Sequence, residues 1–178
     1  MILSKNKTAV NEFTFCGGVL PKTKPGTYQG KPIRLMSITP NRVFIEGLKG
    51  ELLKHGDNLV DFTKFNISAL NAIVYWQQQE KSGYPELILL DTYQKKISCV
   101  EVIQRFKSLN AATKILVIGD YLRHDTIEQY FYSGADGYID QAATAMMFRY
   151  AIEVIVQEGK KFLHTPILPF NSYLVIEP

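Results

Sequence analysis

The chain has few cysteines, few histidines and no long apolar run. Two cysteines, Cys16 and Cys99, cannot build a disulfide framework, so we expect a reducing compartment. The three histidines are far apart in the sequence, so a histidine-based metal site is not expected. No stretch approaches the roughly 20 apolar residues of a membrane span, and "MILSKNKTAVNEF" lacks the apolar core of a secretory signal. We therefore expect a cytoplasmic protein without a membrane anchor.

The positive charge is concentrated near the start of the chain. The formal net charge is +3, of which residues 1–32 contribute +4 through five lysines and one glutamate. This segment also contains "PKTKPGTYQGKP", a composition typical of a loop or linker. Dispersed lysines are more typical of a solvated surface than of nucleic-acid contact. We interpret residues 1–32 as a basic extension, 33–165 as the folded domain and 166–178 as a tail.

From residue 33 onward, apolar strands alternate with amphipathic helices. The pattern predicts strands at 33–38, 58–65, 87–90, 114–119 and 136–140, and helices at 42–56, 68–83, 98–110, 124–135 and 144–159. Ser68 and Thr144 are the predicted N-caps of the second and fifth helices, and Gly134 and Gly159 are predicted to end the last two. Because parallel strands need crossovers, the alternation predicts a parallel sheet with helices on both faces.

Four segments carry a family resemblance: "YPELILLD", "NAATKILVIGDY", "SGADGYIDQ" and "AIEVIVQEGKKFLHTP". In this order and spacing, residues 33–165 resemble the receiver domain of bacterial two-component response regulators, of the type that usually precedes a helix-turn-helix output domain. The resemblance implies an α/β flavodoxin-like fold, a doubly wound parallel (βα)5 sheet with strand order 2-1-3-4-5. It also places Asp91 at the position that accepts phosphate in the family.

The other positions of the family's phosphorylation site are altered in this sequence. The acidic pair after the first strand falls on Thr39 and Pro40. The lysine after the fifth strand falls on Gln141, and the Ser or Thr that ends the fourth strand falls on Gly119. Mg²⁺ prefers carboxylate oxygens, and phosphoryl transfer depends on positioned charge. We therefore predict that Asp91 is not phosphorylated, that neither Mg²⁺ nor another cofactor is bound, and that the protein is not an enzyme.

Apolar residues near the last two helices predict a protein interface. By the resemblance, Tyr138 matches the switch aromatic of the family, and the missing side chain of Gly119 would leave room for its ring to sit inward. Family receivers dimerise and bind partners through the face formed by helix 4, strand 5 and helix 5. Tyr132, Met146 and Met147 could extend that face towards a protein partner or a second copy of the chain.

The favoured interpretation is an atypical receiver domain that regulates transcription or signalling through protein contacts, without phosphorylation. The alternatives are a single-domain response regulator phosphorylated on Asp91 and a DNA-associated regulator that uses residues 1–32. A further alternative is a small-molecule site in the pocket of Thr39, Asp91, Gly119 and Gln141. The tail is too short for a helix-turn-helix, so DNA binding is not expected, and its "SYLVI" segment could pair with a sheet edge of its own chain or of a partner.

Overall fold

The computed structural model describes residues 30–54, 59–64, 68–80, 83–93, 97–120, 124–165 and 173–176. Most of the predicted basic extension, the predicted helix end at Gly56 and part of the tail lie outside the described residues. No helix in these ranges is both long enough and apolar enough to cross a membrane.

Seven strands and five helices form the described part of the chain. The strands are β1 Ile33–Ile38, β2 Val60–Lys64, β3 Leu87–Asp91, β4 Lys114–Gly119, β5 Gly137–Asp140, β6 Lys161–His164 and β7 Leu174–Ile176. The helices are α1 Arg42–Leu53, α2 Ala69–Gln77, α3 Cys99–Leu109, α4 His124–Tyr132 and α5 Ala145–Val156. All five predicted strands and all five predicted helices are present, with ends that differ by a few residues.

Local hydrogen bonds explain where several helices begin. The Ser68 hydroxyl accepts from the Asn71 N–H, and the Thr144 hydroxyl accepts from the Met147 N–H, as predicted for N-caps. The chain leaves α4 and α5 through glycines with positive φ, 107° at Gly134 and 70° at Gly159. The second helix is shorter than predicted, because α2 ends at Gln77 instead of continuing to residue 83.

The strand order is β2-β1-β3-β4-β5-β6-β7. Neighbouring strands are parallel from β2 to β6, and β7 pairs with β6 in the antiparallel direction. The predicted 2-1-3-4-5 order is confirmed. Strand β6 was not predicted, whereas the strand-like segment of the tail does form β7 and pairs with the chain's own sheet.

The sheet separates two apolar layers. One contains residues of α2, α3 and α4, and the other contains residues of α1 and α5. Both faces of β3 and β4 are buried, which explains why "LILLD" and "KILVIG" are almost continuously apolar. The side chains at the carboxyl ends of β3 and β4 are therefore positioned by strands that are buried on both faces.

The predicted interface needs two corrections. Strand β5 is not at the sheet edge, because β6 pairs along it from Gly137 to Ile139. Met147 is only 2% exposed, so its assignment to an interaction surface is wrong. The Thr144 cap sets the phase of α5 so that Met147 lies one turn before buried Ala151 on the inner face. Tyr132 and Met146 do lie on the surface, 87% and 54% exposed.

Candidate functional site

An open cleft lies at the carboxyl ends of the central strands. Its volume is about 860 Å³, and its described lining consists of Pro40, Asn41, Asp91, Thr92, Tyr93, Asp120 and Gln141. Parallel strands bring their carboxyl ends to one edge, which explains why residues so distant in sequence meet here. Of the predicted pocket residues, Pro40, Asp91 and Gln141 line the cleft directly.

Thr39 contacts Asp91 with its hydroxyl. Thr39 Oγ1 donates to Asp91 Oδ2 at 2.6 Å and accepts from the Asn41 N–H at 3.0 Å. Both Thr39 and Asp91 are buried. Thr39 therefore supplies a proton donor to Asp91 at a position where the family resemblance would place a carboxylate.

The second oxygen of Asp91 is engaged by the loop that follows β3. The Tyr93 N–H donates to Asp91 Oδ1 at 2.8 Å. The Cys99 thiol, at the start of α3, lies 3.6 Å from the backbone carbonyls of Asp91 and Thr92. Burial, followed by the charge of Asp91, raises the pKa of Cys99 to about 11, so this thiol is protonated at neutral pH. The carboxylate and the start of its loop are thus held by local hydrogen bonds.

Gly119 ends β4 with no free space beside it. A Cβ at this position would lie 2.8 Å from Thr92 Cγ2, 2.9 Å from Thr92 Oγ1 and 3.1 Å from the Tyr138 hydroxyl oxygen. The Thr92 side chain and the Tyr138 hydroxyl therefore share the space beside Gly119. Tyr138 is buried among core residues of the α2, α3 and α4 layer, so its ring lies inside the domain.

Asp120 connects two tyrosines and was missed by the sequence interpretation. The Tyr93 hydroxyl donates to Asp120 Oδ2 at 2.9 Å, and the Tyr138 hydroxyl donates to the Asp120 backbone carbonyl at 3.1 Å. The hydrogen bond to Asp120 and its negative charge raise the pKa of Tyr93. Burial is the main reason that the pKa of Tyr138 is raised, and the Asp140 carboxylate adds to it.

The turn after β5 places a neutral side chain at the cleft. Asp140 Oδ1 accepts from the Ala142 N–H at 2.8 Å, so this carboxylate closes its own turn. The Gln141 N–H donates to the Gly119 carbonyl at 2.9 Å, which ties the turn to the end of β4. Asp91 and Asp120 bring carboxylates to the lining, and Gln141 brings an uncharged amide. In the described ranges, no group of three or more His, Cys, Asp or Glu side chains could hold a metal ion.

Comparison with solved structures identifies the fold. A two-component response regulator of the LuxR family from Aurantimonas sp. SI85-9A1 superposes with a TM-score of 0.64 and 18% identity, over 77% of this chain and 92% of that one. The signal receiver domain of the response regulator NarL from Mycobacterium tuberculosis gives 0.62 and 18%, over 72% and 98%. This chain has the receiver-domain fold. The phosphorylated cyanobacterial phytochrome response regulator RcpA gives 0.58 and 19%, over 72% and 96%.

The residues of the predicted pocket lie at the carboxyl ends of four strands. Thr39 and Pro40 follow β1, Asp91 ends β3, Gly119 ends β4 and Gln141 follows β5. No protein-family model and no curated protein matches the sequence. With identities of 18–19%, the structural likeness establishes the fold, and the chemistry of the cleft has to be argued from its own residues.

Proposed function

We propose that this protein is an atypical receiver domain that regulates a partner by protein–protein contact, without phosphorylation of Asp91. The observation that carries the proposal is the hydrogen bonding of the buried Asp91 carboxylate. One oxygen accepts from the Thr39 hydroxyl and the other from the Tyr93 N–H. These two contacts orient and stabilise the Asp91 carboxylate, and neither partner supplies the positive charge that the transfer of a phosphoryl group requires.

The electrostatics of the cleft support the same proposal. Mg²⁺ requires near-octahedral coordination by oxygen ligands, and carboxylates are its usual protein ligands. Thr39 supplies a hydroxyl that is already donating to Asp91, and Pro40 has no side-chain ligand. A phosphoryl group would bring negative charge into a cleft that already contains the Asp120 carboxylate, while Gln141 offers no positive charge. Binding of Mg²⁺ and catalysis are therefore not part of the proposed function.

The proposed partner is another protein or a second copy of this chain. Tyr132, at the end of α4, and Met146, in the first turn of α5, expose apolar side chains that suit such contact. Because β6 covers the edge of β5, this surface consists of the two helices without the strand edge. A role in transcription or signalling and a cytoplasmic location are parts of the proposal.

Titration with beryllofluoride and Mg²⁺, followed by NMR, tests whether Asp91 accepts phosphate. Beryllofluoride mimics a phosphoryl group on a carboxylate, and we expect no saturable shift of the Asp91, Thr92 or Gln141 amides at millimolar concentrations. A variant that restores the family pattern, with Thr39→Asp, Pro40→Asp and Gln141→Lys, is expected to gain binding and shows that the assay can detect it.

One result would contradict the proposed function. Saturable binding to the unmodified chain that disappears in Asp91→Asn would show a working phosphoacceptor. The protein would then be a single-domain response regulator that is phosphorylated on Asp91.

A further inference from the structure

Exposed apolar side chains adjoin the cleft. Val43, in the first turn of α1, is 85% exposed, and Met146, in the first turn of α5, is 54% exposed. The Phe44 and Phe148 rings lie 5.8 Å apart, so these two first turns are neighbours. Each helix begins shortly after residues of the cleft lining, and Tyr93, 60% exposed, belongs to the lining itself. Val43, Tyr93 and Met146 therefore form an apolar border of the cleft.

The charge of the cleft is opposite to that of the first residues of the chain. The described lining of the cleft contains the carboxylates of Asp91 and Asp120 and no Lys, Arg or His side chain. The basic extension, residues 1–32, has a formal charge of +4, whereas residues 33–178 sum to −1. Opposite charges attract over about the Debye length, roughly 10 Å at 0.1 M salt. A basic segment that comes close to the cleft is therefore attracted to it.

The basic extension combines lysines with apolar residues, as the cleft combines carboxylates with an apolar border. Lys5 and Lys7 precede the segment "NEFTFCGGVL", and Lys22 and Lys24 follow it. This segment contains two phenylalanines, a valine and a leucine. Contact with nucleic-acid phosphates would use the lysines and leave the apolar residues without a role. The cleft and its border provide a surface that suits both.

The basic extension is long enough to reach the cleft of its own chain. The described chain starts at residue 30, just before β1, whereas the cleft lies at the other end of that strand. The six residues of β1 span about 20 Å. Residues 1–29 could extend over roughly 95 Å, so they can reach the cleft with length to spare. Because a tether of this kind gives an effective concentration on the order of millimolar, a weak contact is sufficient.

We propose that the basic extension binds the cleft of its own chain. A lysine side chain lies beside the Asp91 and Asp120 carboxylates, and an apolar residue covers Val43 and Met146. The cleft then contains a cation that the chain itself supplies, and a partner that binds at Met146 competes with the extension. The inference goes beyond the proposed function, because it assigns an occupant to the cleft itself.

A nitroxide on Cys16 tests where the extension lies. Cys16 belongs to the extension, and Cys99, the other cysteine, is buried, so a thiol-reactive nitroxide labels Cys16 selectively in the full chain. The nitroxide broadens the resonances of nearby amides in proton–nitrogen NMR spectra. We expect the amides of the cleft lining to lose intensity, and the amide of Lys107, in the last turn of α3, to keep it. Equal broadening of both would overturn the inference.

Two matched variants test the role of charge. One combines Lys5→Gln, Lys7→Gln, Lys22→Gln and Lys24→Gln, and the other has Arg at the same four positions. The Gln variant should lose the selective broadening of the cleft amides, and the Arg variant should retain it. Raising the salt from about 0.1 M to about 1 M shortens the Debye length from roughly 10 Å to roughly 3 Å, so it should also weaken the broadening. Undiminished broadening in the Gln variant would contradict the proposal.

Two other occupants of the cleft have their own signatures. In a mixture of nitroxide-labelled chain and nitrogen-15-labelled chain, broadening of the cleft amides would show that the extension binds a second copy and not its own chain. Lys95 and Lys96 follow Tyr93 in the sequence, outside the described residues. If the cleft amides lose intensity only in Lys95→Gln/Lys96→Gln, these two lysines neutralise the cleft and the inference is wrong.

The beryllofluoride titration tests the proposed function separately. Binding of beryllofluoride at Asp91, together with selective broadening by the nitroxide in its absence, would refute the proposed function and keep the extension in the cleft. Absence of beryllofluoride binding, together with absence of selective broadening, would refute the placement of the extension alone.

Discussion

At the end of β4, the backbone of Gly119 is enclosed by the side chains of Thr92 and Tyr138. Replacing Gly119 with Ala would place a Cβ less than 3 Å from two Thr92 atoms, so either the Thr92 side chain or the strand end has to move. We expect Gly119→Ala to lower the free energy of unfolding by about 1–3 kcal/mol, the usual cost of overpacking. Chemical denaturation monitored by circular dichroism measures the change.

Two further variants show whether the cost arises from the contact with Thr92. Gly119→Ala/Thr92→Ala removes the closest atoms and should recover part of the loss. Gly50→Ala is a matched control, because nothing lies within 4 Å of a Cβ there and the residue is in α1. It should stabilise the protein by roughly 0.5–1 kcal/mol through helix propensity. Equal effects at positions 50 and 119 would contradict the packing described here.

The individual residues of the cleft differ in how far the sequence predicted them. Thr39 and Asp91 could be placed because β1 and β3 are clear apolar runs, and Gln141 could be placed through the family resemblance of "SGADGYIDQ". Asp120 also follows such a strand directly, so its position at the cleft could have been predicted. Its pairing with Tyr93 could not, because a contact between two loops depends on backbone conformations that hydrophobic periodicity does not encode.

At the scale of elements, strands and helices with strong patterns were predicted, as was the strand-like tail segment that forms β7, whereas β6 was not. Strand β6 consists of "KFLH" and has only two buried side chains, too few to show a period. It is stabilised by contacts with other elements: the Phe162 ring stacks on Tyr173 with centroids 5.7 Å apart, and it packs against the Tyr150 ring with centroids 6.0 Å apart. In contrast, the helical spacing of Met147 and Ala151 was visible, and it should have placed Met147 in the core.

Helix α5 provides a direct test of the proposed interaction surface. Met146 on α5 and Val74 on α2 are both 54% exposed, so a charge at either position costs the monomer little. We expect Met146→Glu to weaken association with the partner or with a second copy of the chain, because a charge in an apolar contact is desolvated without a counter-charge. The matched control Val74→Glu should leave association unchanged. Association is measured by sedimentation velocity of the purified chain and by co-purification of its partner.

The reverse result for these two variants would contradict the proposed surface. If Val74→Glu weakens association and Met146→Glu does not, the interaction surface lies on α2, whose Leu70 and Val74 also expose apolar side chains one helical turn apart. The surface formed by α4 and α5 would then have no role in association.

Over the part of the molecule that the structure describes, three ionisable side chains with raised pKa values lie in one of the two apolar layers. Cys99, Tyr130 and Tyr138 all belong to the layer packed against α2, α3 and α4, which lies beneath the Asp91 loop. Burial is the main reason that the pKa of each is raised. The opposite layer, formed with α1 and α5, is built from apolar residues and Tyr173. The three groups that resist deprotonation are therefore all on one side of the sheet.

This asymmetry predicts the alkaline limit of the fold. Burial raises the pKa of Tyr130 from 10.0 to about 12 and that of Cys99 from 9.0 to about 11. Between pH 9 and pH 12 the unfolded chain releases protons that the folded chain retains. The contribution of these two groups to the free energy of unfolding is therefore complete below pH 9 and is lost as the pH rises towards 12. Tyr130→Phe removes one of these groups, and its free energy of unfolding should fall less steeply over that range, whatever its value at pH 8. Denaturation curves at several pH values from 8 to 11.5 measure both slopes, and parallel curves for Tyr130→Phe and the unmodified chain would show that Tyr130 does not contribute.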